Sequence, residues 1–113
     1  MLNKKFRFHS RGGVKYTYQK GKTIRTPKIS LVFASNPKGF QRFAVVVSKK
    51  VLKSAVGRNR IRRRVYEAIR LELPNIPAKH DYIFVIYNRD VKDMPFPELQ
   101  DTIRGLIKES MIQ

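Results

Sequence analysis

Acidic residues are absent from the first 66 positions of this chain, and their absence limits what the chain can fold into. Residues 1–66 contain 19 lysine and arginine residues and no aspartate or glutamate, whereas residues 67–113 contain 6 basic and 8 acidic residues. So long a stretch cannot neutralise itself by internal ion pairs, and its self-repulsion opposes a compact state. A bound polyanion would relieve this repulsion. With a formal net charge of +17, the sequence predicts a polyanion-binding protein.

The rest of the composition is typical of a folded domain rather than a disordered basic tail. Hydrophobic residues make up 42% of the 113 positions, which is enough for one modest core. The chain has no cysteine, so a disulfide framework and a thiolate metal site are excluded. No apolar run approaches the roughly 20 residues that span a bilayer, and the N-terminus lacks the apolar stretch of a secretory signal. We therefore expect one cytoplasmic domain over residues 1–113, with no membrane partner, in which residues 1–13 can form a flexible basic arm.

The distribution of the charge indicates which polyanion is bound. Basic residues occur in predicted strands, loops and a helix alike. Amphipathic membrane anchors instead concentrate their charge on one helix with bulky apolar residues on its opposite face. The pattern therefore favours nucleic acid over an anionic membrane surface.

The apolar pattern predicts three strands and two helices that pack on a core. The strands are expected at 29–35, 40–48 and 82–87. The stripes at helical spacing are Ile61, Val65, Ala68 and Ile69, and then Leu99, Ile103, Leu106 and Ile107. A weaker helix is expected from Val14 to Lys20, with Gly21 as its C-cap.

These elements predict an α+β fold with one sheet and helices packed on it. The turn residues at 36–39 predict that the first two strands form an antiparallel hairpin. The second strand is apolar on both faces, which predicts a central position in the sheet. The helix that follows it is expected to act as a crossover that places the strand at 82–87 parallel to it.

No catalytic or metal-binding arrangement is evident in the sequence. His9 and His80 are the only histidines and lie 71 residues apart, so both are interpreted as surface or hydrogen-bonded residues. The acids do not have the spacing of a metal site, and the serines lie in no Gly-x-Ser-x-Gly motif. We therefore predict no catalytic residue and no metal site in this chain.

The segment from Lys49 to Arg64 is the strongest candidate for a binding surface. It contains many basic residues and no acid, whereas a merely solvated helix face mixes both signs because i, i+4 ion pairs support the helix. Arginine is the main basic residue of the helix, and its guanidinium suits bidentate contact with phosphate oxygens. A solvated face and a nuclear localisation run are the alternative interpretations.

The same segment contains a family signature. An Arg58-Asn59-Arg60 core is preceded by Ser48-Lys49-Lys50 and followed by Ile61-Arg62-Arg63, with Ala68-Ile69-Arg70 further along. In these residues the chain resembles the protein subunit of bacterial ribonuclease P. The order of the other segments is also similar, so the resemblance extends over nearly the whole chain.

The resemblance implies both a fold and a function. The fold would be a two-layer α+β sandwich with the order α-β-β-β-α-β-α and an uncommon left-handed β-α-β crossover around the arginine-rich helix. The protein would assist the endonucleolytic removal of the 5′ leader from precursor tRNA. Its partners would be the catalytic RNA subunit and precursor tRNA, with no protein partner. The RNA subunit would perform the hydrolysis with bound Mg²⁺, which the protein alone does not bind tightly.

The resemblance also assigns a surface for the RNA subunit. Its residues are Lys49, Lys50, Arg58, Asn59, Arg60, Arg62 and Arg63. Among them, Asn59 is expected to fix local geometry rather than to supply affinity. Tyr66 departs from the family pattern, since a further basic residue is frequent at this position.

A second surface is expected to bind the leader. If Leu31 and Phe33 pack on the core, strand alternation turns Ser30 and Val32 to the opposite face. Together with Lys28, and with Val14 and Tyr18 beside it, this face would form a shallow groove for single-stranded RNA, where Tyr18 offers a stacking plane. The alternative interpretation is that Tyr18 is an ordinary core residue. One stacking partner is absent, because Val14 stands where the family commonly has an aromatic residue.

Two other functions would share this size and charge. One is a structural ribosomal or RNA-assembly protein, and the other is a non-specific DNA-compacting protein. The RNA that copurifies with the protein, and its preference for folded RNA over duplex DNA, would distinguish them.

Overall fold

The chain forms one four-stranded sheet with three main helices. The computed structural model describes residues 2–8 and 11–112, so His9 lies outside the described residues. The main elements are α1 (Arg11–Lys20), β1 (Lys22–Arg25), β2 (Ile29–Ser35), β3 (Arg42–Val47), α2 (Ala55–Glu72), β4 (His80–Ile86) and α3 (Phe96–Ile112). Short 3-10 turns cover 4–6, 73–75 and 89–92. The α+β class and the element order implied by the resemblance are confirmed.

The sheet has the strand order β1-β2-β4-β3. Strand β4 runs antiparallel to β2 and parallel to β3, which confirms the expected crossover through α2. The expected hairpin between β2 and β3 is wrong, because β4 lies between these two strands. The connection at 36–41 therefore bridges over β4 instead of forming a tight hairpin, and its Gly39 adopts a φ of +83°.

The inner strands of the sheet are β2 and β4, so the prediction that β3 is central is wrong. Strand β3 lies at the edge, but the N-terminal segment covers it: the Phe8 amide donates to the Phe43 carbonyl at 2.9 Å, and Arg7 forms a parallel bridge with Phe43. Phe8 itself is buried on the second face of the sheet. This cover explains why an edge strand is apolar on both faces.

The larger core lies between one face of the sheet and helices α2 and α3. Both predicted apolar stripes face this core, and their residues are nearly or completely inaccessible to solvent. Leu31 and Phe33 belong to the same cluster. In the described part of the chain, no helix is both long and apolar enough to cross a membrane.

Helix α1 covers part of the opposite face of the sheet. It packs on β2 and β4, and its Val14 contacts a smaller cluster that contains Val32, Ala44 and Ile83. The helix begins at Arg11, earlier than expected, so both glycines at 12 and 13 lie within it. Packing on the sheet outweighs the low helix propensity of glycine here.

Helix α1 approaches β2 so closely that Gly21 leaves no space for a side chain. A Cβ at this position would lie 2.4 Å from the Thr17 carbonyl oxygen and 2.7 Å from that of Phe33. The Gly21 amide also donates to the Thr17 carbonyl at 2.8 Å and ends the helix. Strand β1 begins directly afterwards; the apolar pattern alone did not predict this short, largely exposed strand.

A buried ionic group joins β3, β4 and the connection at 36–41. The carboxylate of Asp81 accepts from Arg42 Nε at 2.9 Å and from an Arg42 terminal nitrogen at 2.8 Å. It also accepts from the Asn36 side-chain amide at 2.7 Å. Because Asp81 is 4% exposed, these donors offset the cost of removing its charge from water. An acid from the second half of the chain thus neutralises a base from the first half.

Candidate nucleic-acid interface

Helix α2 begins at a capped N-terminus that carries no acid. The Ser54 hydroxyl accepts from the Gly57 amide at 3.0 Å, and the first turn contains no acidic residue. Cations near a helix N-terminus oppose the helix macrodipole and cost stability. The same positive end attracts anions. The start of α2 is therefore arranged to attract a polyanion at the expense of stability.

Lys49 and Lys50 lie in the turn that leads into α2, and both are exposed. This turn is held by the amides of Val51 and Leu52, which donate to the Ser48 carbonyl at 3.1 and 3.3 Å. The two lysines thus project into solvent from a hydrogen-bonded backbone. Both are available for contact with phosphates.

Arg58 folds back onto the segment before the helix. One of its terminal nitrogens donates to the Leu52 carbonyl at 2.9 Å and to the Lys53 carbonyl at 2.7 Å. These bonds close the segment that precedes α2 against the helix. Arg58 therefore has a structural role in addition to its charge.

Arg60 and Arg64 attach α2 to the 89–92 turn and to the residues after it. Arg60 Nε donates to the Lys92 carbonyl at 3.3 Å. Arg64 donates to the Val91 carbonyl at 2.6 Å, to the Lys92 carbonyl at 2.8 Å and to the Met94 carbonyl. Burial lowers the pKa of Arg64, and the nearby charge of Arg60 adds to this effect. The sequence pattern did not distinguish these anchored arginines from the free ones.

Arg62 and Arg63 are the arginines of α2 that, among residues 2–8 and 11–112, are bonded neither to a backbone carbonyl nor to a carboxylate. An Arg62 terminal nitrogen donates to the Asn59 side-chain oxygen at 2.5 Å, a contact that fits the expected positioning role of Asn59. Arg63 is exposed and lines a shallow open cavity with Arg60, Arg64, Glu67 and Phe96, in which the Glu67 carboxylate is paired with Arg70. These two guanidiniums are therefore the most available donors for a phosphate.

The expected leader groove is partly accessible and partly covered. Ser30 and Val32 lie on the predicted face, opposite Leu31 and Phe33, but they are 0% and 4% exposed. Lys28 and Val14 are half-buried. Tyr18 is 45% exposed, so it is not an ordinary core residue. Ser30 and Val32 therefore form the floor beneath α1 and are not on the surface.

Tyr87 is the residue of this face that the sequence reasoning missed. It follows β4, is 46% exposed, and its amide donates to the Lys28 carbonyl at 2.9 Å. Burial raises the pKa of Tyr18, and Tyr87 adds to the shift. By strand alternation Tyr87 lies on the side of the sheet that carries Ile83 and Val85 beneath α1. It therefore adds a second aromatic side chain to the face that carries Tyr18. The register of β4 against β2 would have been needed to find this pair.

The acids in the described part of the chain that form ion pairs do so with arginines. Glu67 pairs with Arg70 at 2.5 Å, and Glu72 pairs with Arg104 at 2.9 Å. Hydrogen bonds from Arg104 and Gln100 hold the pKa of Glu72 below its usual range. Among residues 2–8 and 11–112, no three histidine, aspartate or glutamate side chains are grouped so that they could hold a metal ion. His80 Nδ1 lies 2.9 Å from the Ala78 carbonyl oxygen, as expected for a hydrogen-bonded histidine.

Neighbouring arginines of α2 should differ in their contribution to stability. Arg64→Ala removes donors to three backbone carbonyls, so the free energy of unfolding should fall by about 1–3 kcal/mol. Arg63→Ala, one residue away on the exposed side, should change it by less than about 0.5 kcal/mol. Urea denaturation of the two variants measures both values. If both substitutions lowered the free energy of unfolding equally, the distinction between arginines that anchor α2 and arginines that do not would be wrong.

Comparison with known proteins gives a consistent result. The sequence matches the family model described as Ribonuclease P over residues 2–111. The ribonuclease P protein component of Chloroflexus aurantiacus is 42% identical over 94 residues, which cover 83% of this chain and 69% of that protein. The corresponding protein of Pelotomaculum thermopropionicum is 34% identical and covers 83% and 82%.

Solved structures show the same fold. An RNase P protein mutant from Staphylococcus aureus superimposes with a TM-score of 0.83 at 24% identity, covering 96% of this chain and 90% of that one. The RNase P protein from Thermotoga maritima gives a TM-score of 0.81 at 22% identity, covering 91% and 96%. These structures show the fold, and the match of the family model together with the identity to the curated relatives shows that the chain belongs to the ribonuclease P protein family.

Proposed function

We propose that this chain is the protein subunit of a ribonuclease P, which binds the catalytic RNA subunit and the 5′ leader of precursor tRNA. In this role it assists the endonucleolytic removal of the leader that produces the mature 5′ end of tRNA in the cytoplasm. The observation that carries the proposal is the cluster of cations at the start of α2, where the helix has no acidic residue, in a chain of the ribonuclease P protein family.

The start of α2 and the turn before it support contact with the RNA subunit. Lys49, Lys50 and Arg63 are exposed, and Arg62 is bonded only to a neutral amide in the described part of the chain. None of these side chains has an acidic partner in residues 2–8 and 11–112, so a phosphate that binds here displaces no internal ion pair. Electrostatic affinity for a phosphate backbone is therefore available without disruption of the fold.

The face between α1 and β4 supports contact with the leader. Tyr18 and Tyr87 are both half-exposed, and they lie on the face where partly buried valines pack on the smaller cluster. Unpaired bases can stack on such rings whatever their identity, whereas a duplex keeps its bases inside. Ser30 and Val32 contribute by forming the packed floor that fixes α1, not by touching RNA.

We assign the hydrolysis to the RNA subunit with Mg²⁺, which activates the attacking water there when bound. The buried acids of this chain serve the fold, since Asp81 accepts from Arg42 and Glu72 from Arg104. The chain's own residues hold phosphates and position the leader. The membership of the family favours this role over that of a structural ribosomal protein or a DNA-compacting protein.

The isolated protein should leave precursor tRNA uncut at any Mg²⁺ concentration, and addition of the catalytic RNA should produce cleavage at the mature 5′ end. A 5′-labelled precursor on a denaturing gel measures both reactions. The assignment of the chemistry to RNA fails if RNA-free protein cleaves the precursor and replacement of one acid by alanine abolishes that activity.

Removal of the free arginines should change the salt dependence of binding to the catalytic RNA. For every phosphate that the protein no longer neutralises, the slope of log affinity against log salt should flatten by about 0.7–0.9. The double variant Arg62→Ala, Arg63→Ala should therefore flatten the slope by about one to two units. Filter binding over a salt series measures it.

A charge-matched variant controls for the change in net charge. Lys38 and Lys108 are exposed cations outside α2, so Lys38→Ala with Lys108→Ala removes the same charge. This control should keep most of the wild-type slope. An unchanged slope in the Arg62, Arg63 variant would mean that α2 is only a solvated face.

Substitution of Tyr18 should weaken leader binding specifically. Tyr18→Ala removes one stacking plane, so affinity of the holoenzyme for leader-bearing precursor should fall by about 1–3 kcal/mol, with mature tRNA unaffected. Tyr16→Ala is the matched control, because Tyr16 is similarly exposed on the same helix but two positions away and therefore on a different face. If both RNAs bind more weakly to the same extent, or if both variants behave alike, the leader is bound elsewhere.

A further inference from the structure

The N-terminal segment places Arg7 in a fixed position beside α2. Leu2 and Phe8, at the two ends of the described segment, are 2% and 5% exposed. The Asn3 side chain accepts from the Lys5 amide at 2.9 Å and caps the 3-10 turn between them. Arg7 itself bridges to Phe43 on the edge of the sheet. The backbone on both sides of Arg7 is therefore held, and its side chain is directed by packing.

The guanidinium of Arg7 lies over an aromatic ring of α2. Its central carbon is 5.8 Å from the centre of the Tyr66 ring, within the range of a cation–π contact. Its Nε is buried and has no hydrogen-bond partner among the described residues. A buried, charged donor without an acceptor is costly. The ring thus holds the cation, but no protein carboxylate in the described part of the chain neutralises it.

A second guanidinium approaches the same tyrosine. Arg62 precedes Tyr66 by four residues, so the two side chains share one flank of α2. Burial raises the pKa of the Tyr66 hydroxyl, while a hydrogen bond with the Val45 backbone and the charges of Arg7 and Arg62 act to lower it. One cation therefore lies over the Tyr66 ring, and a second lies one helical turn before it on the same flank of α2.

This pair differs from the ion-paired arginines of the protein. Arg42 is neutralised by Asp81, Arg70 by Glu67 and Arg104 by Glu72. Arg7 and Arg62, by contrast, have no acidic partner in residues 2–8 and 11–112, although each is partly buried. Because both guanidiniums act on the same tyrosine, one anion bound near its ring would interact favourably with both charges.

We propose that Arg7 and Arg62 form a phosphate-binding site on the flank of α2, with the Tyr66 ring as its wall, and that it takes a backbone phosphodiester of the catalytic RNA. The inference rests on the proposed function, and it adds a residue from the N-terminal segment to the α2 surface. The terminal nitrogens of both guanidiniums bind the phosphate oxygens, while the Tyr66 ring orients the guanidinium of Arg7.

The test compares Arg7→Gln with Lys4→Gln for binding to the catalytic RNA over a salt series. Lys4 is an exposed cation of the same segment, so each variant removes one charge. Arg7→Gln should lower affinity about tenfold and flatten the salt slope by about 0.7–0.9, and Lys4→Gln should do neither. Equal effects of the two variants would overturn the site in favour of bulk charge.

A double-mutant cycle tests whether the two arginines share one phosphate. If they do, Arg7→Gln combined with Arg62→Gln should weaken binding much less than the product of the two single effects. Independent, multiplicative effects would overturn a shared site. The outcome also separates this inference from the proposed function: if the Arg62, Arg63 variant flattens the slope and Arg7→Gln does not, only the site at Arg7 fails.

Inorganic phosphate distinguishes binding from packing. Phosphate that binds the folded protein raises its thermal midpoint, and the rise should be smaller in Arg7→Gln than in Lys4→Gln. Arg7→Lys keeps the charge and should recover part of both the midpoint shift and the RNA affinity. If Arg7→Gln and Arg7→Lys are destabilised alike and respond to phosphate as wild type does, Arg7 only packs on Tyr66.

Discussion

Strand β4 pairs along its length with β2 on one side and with β3 on the other, and most of the remaining packing depends on this position. Tyr82, Phe84 and Ile86 of β4 are almost completely buried in the core that α2 and α3 cover. The opposite side of the same strand supplies Ile83 and Val85 to the cluster beneath α1. Since β4 comes from the half of the chain that contains all the acids, its insertion joins a strongly cationic half to a balanced one. The apolar area that it buries on both faces is what holds the cationic half in a compact fold.

The charges that remain are divided between structure and binding. Arg42 and Arg104 meet carboxylates, whereas Arg58, Arg60 and Arg64 donate to backbone carbonyls and so fix α2 to neighbouring segments. A guanidinium bonded to carbonyls keeps its full charge, because a carbonyl is neutral. The anchored arginines therefore still contribute to the positive field around α2, while Arg62, which donates to the Asn59 side chain, and Arg63 are not bonded to backbone carbonyls among the described residues. The arginines of α2 thus fix the helix to neighbouring segments and also create a positive field that attracts a polyanion over a distance.

The sequence predicted the parts of this structure that depend on local pattern. The apolar stripes of α2 and α3, the strand at 29–35 and the alternation that separates Val32 from Leu31 and Phe33 all follow from periodicity, and the structure agrees. The strand order could not be predicted in this way. The turn residues at 36–39 are the same whether β2 and β3 pair directly or are separated by β4. The burial of Ser30 and Val32 likewise depends on where α1 rests. Tyr87 was missed because its proximity to Tyr18 arises from strand pairing between residues more than 50 positions apart.

The contact between Arg7 and Tyr66 shows how a tertiary structure can compensate for a local departure from a family pattern. Related proteins frequently have a basic residue where this chain has Tyr66. From the sequence alone, this neutral side chain would be expected to interrupt the cationic surface of α2. In the folded protein the ring instead supports a guanidinium from the N-terminal segment. A guanidinium held over a ring is more rigid than the ammonium group of a flexible lysine on the same helix. The entropic cost of ordering the Arg7 side chain is met when the protein folds and not when it binds RNA. The cationic surface of this protein is therefore a property of two segments, 2–8 and 55–72, brought together by the edge of β3.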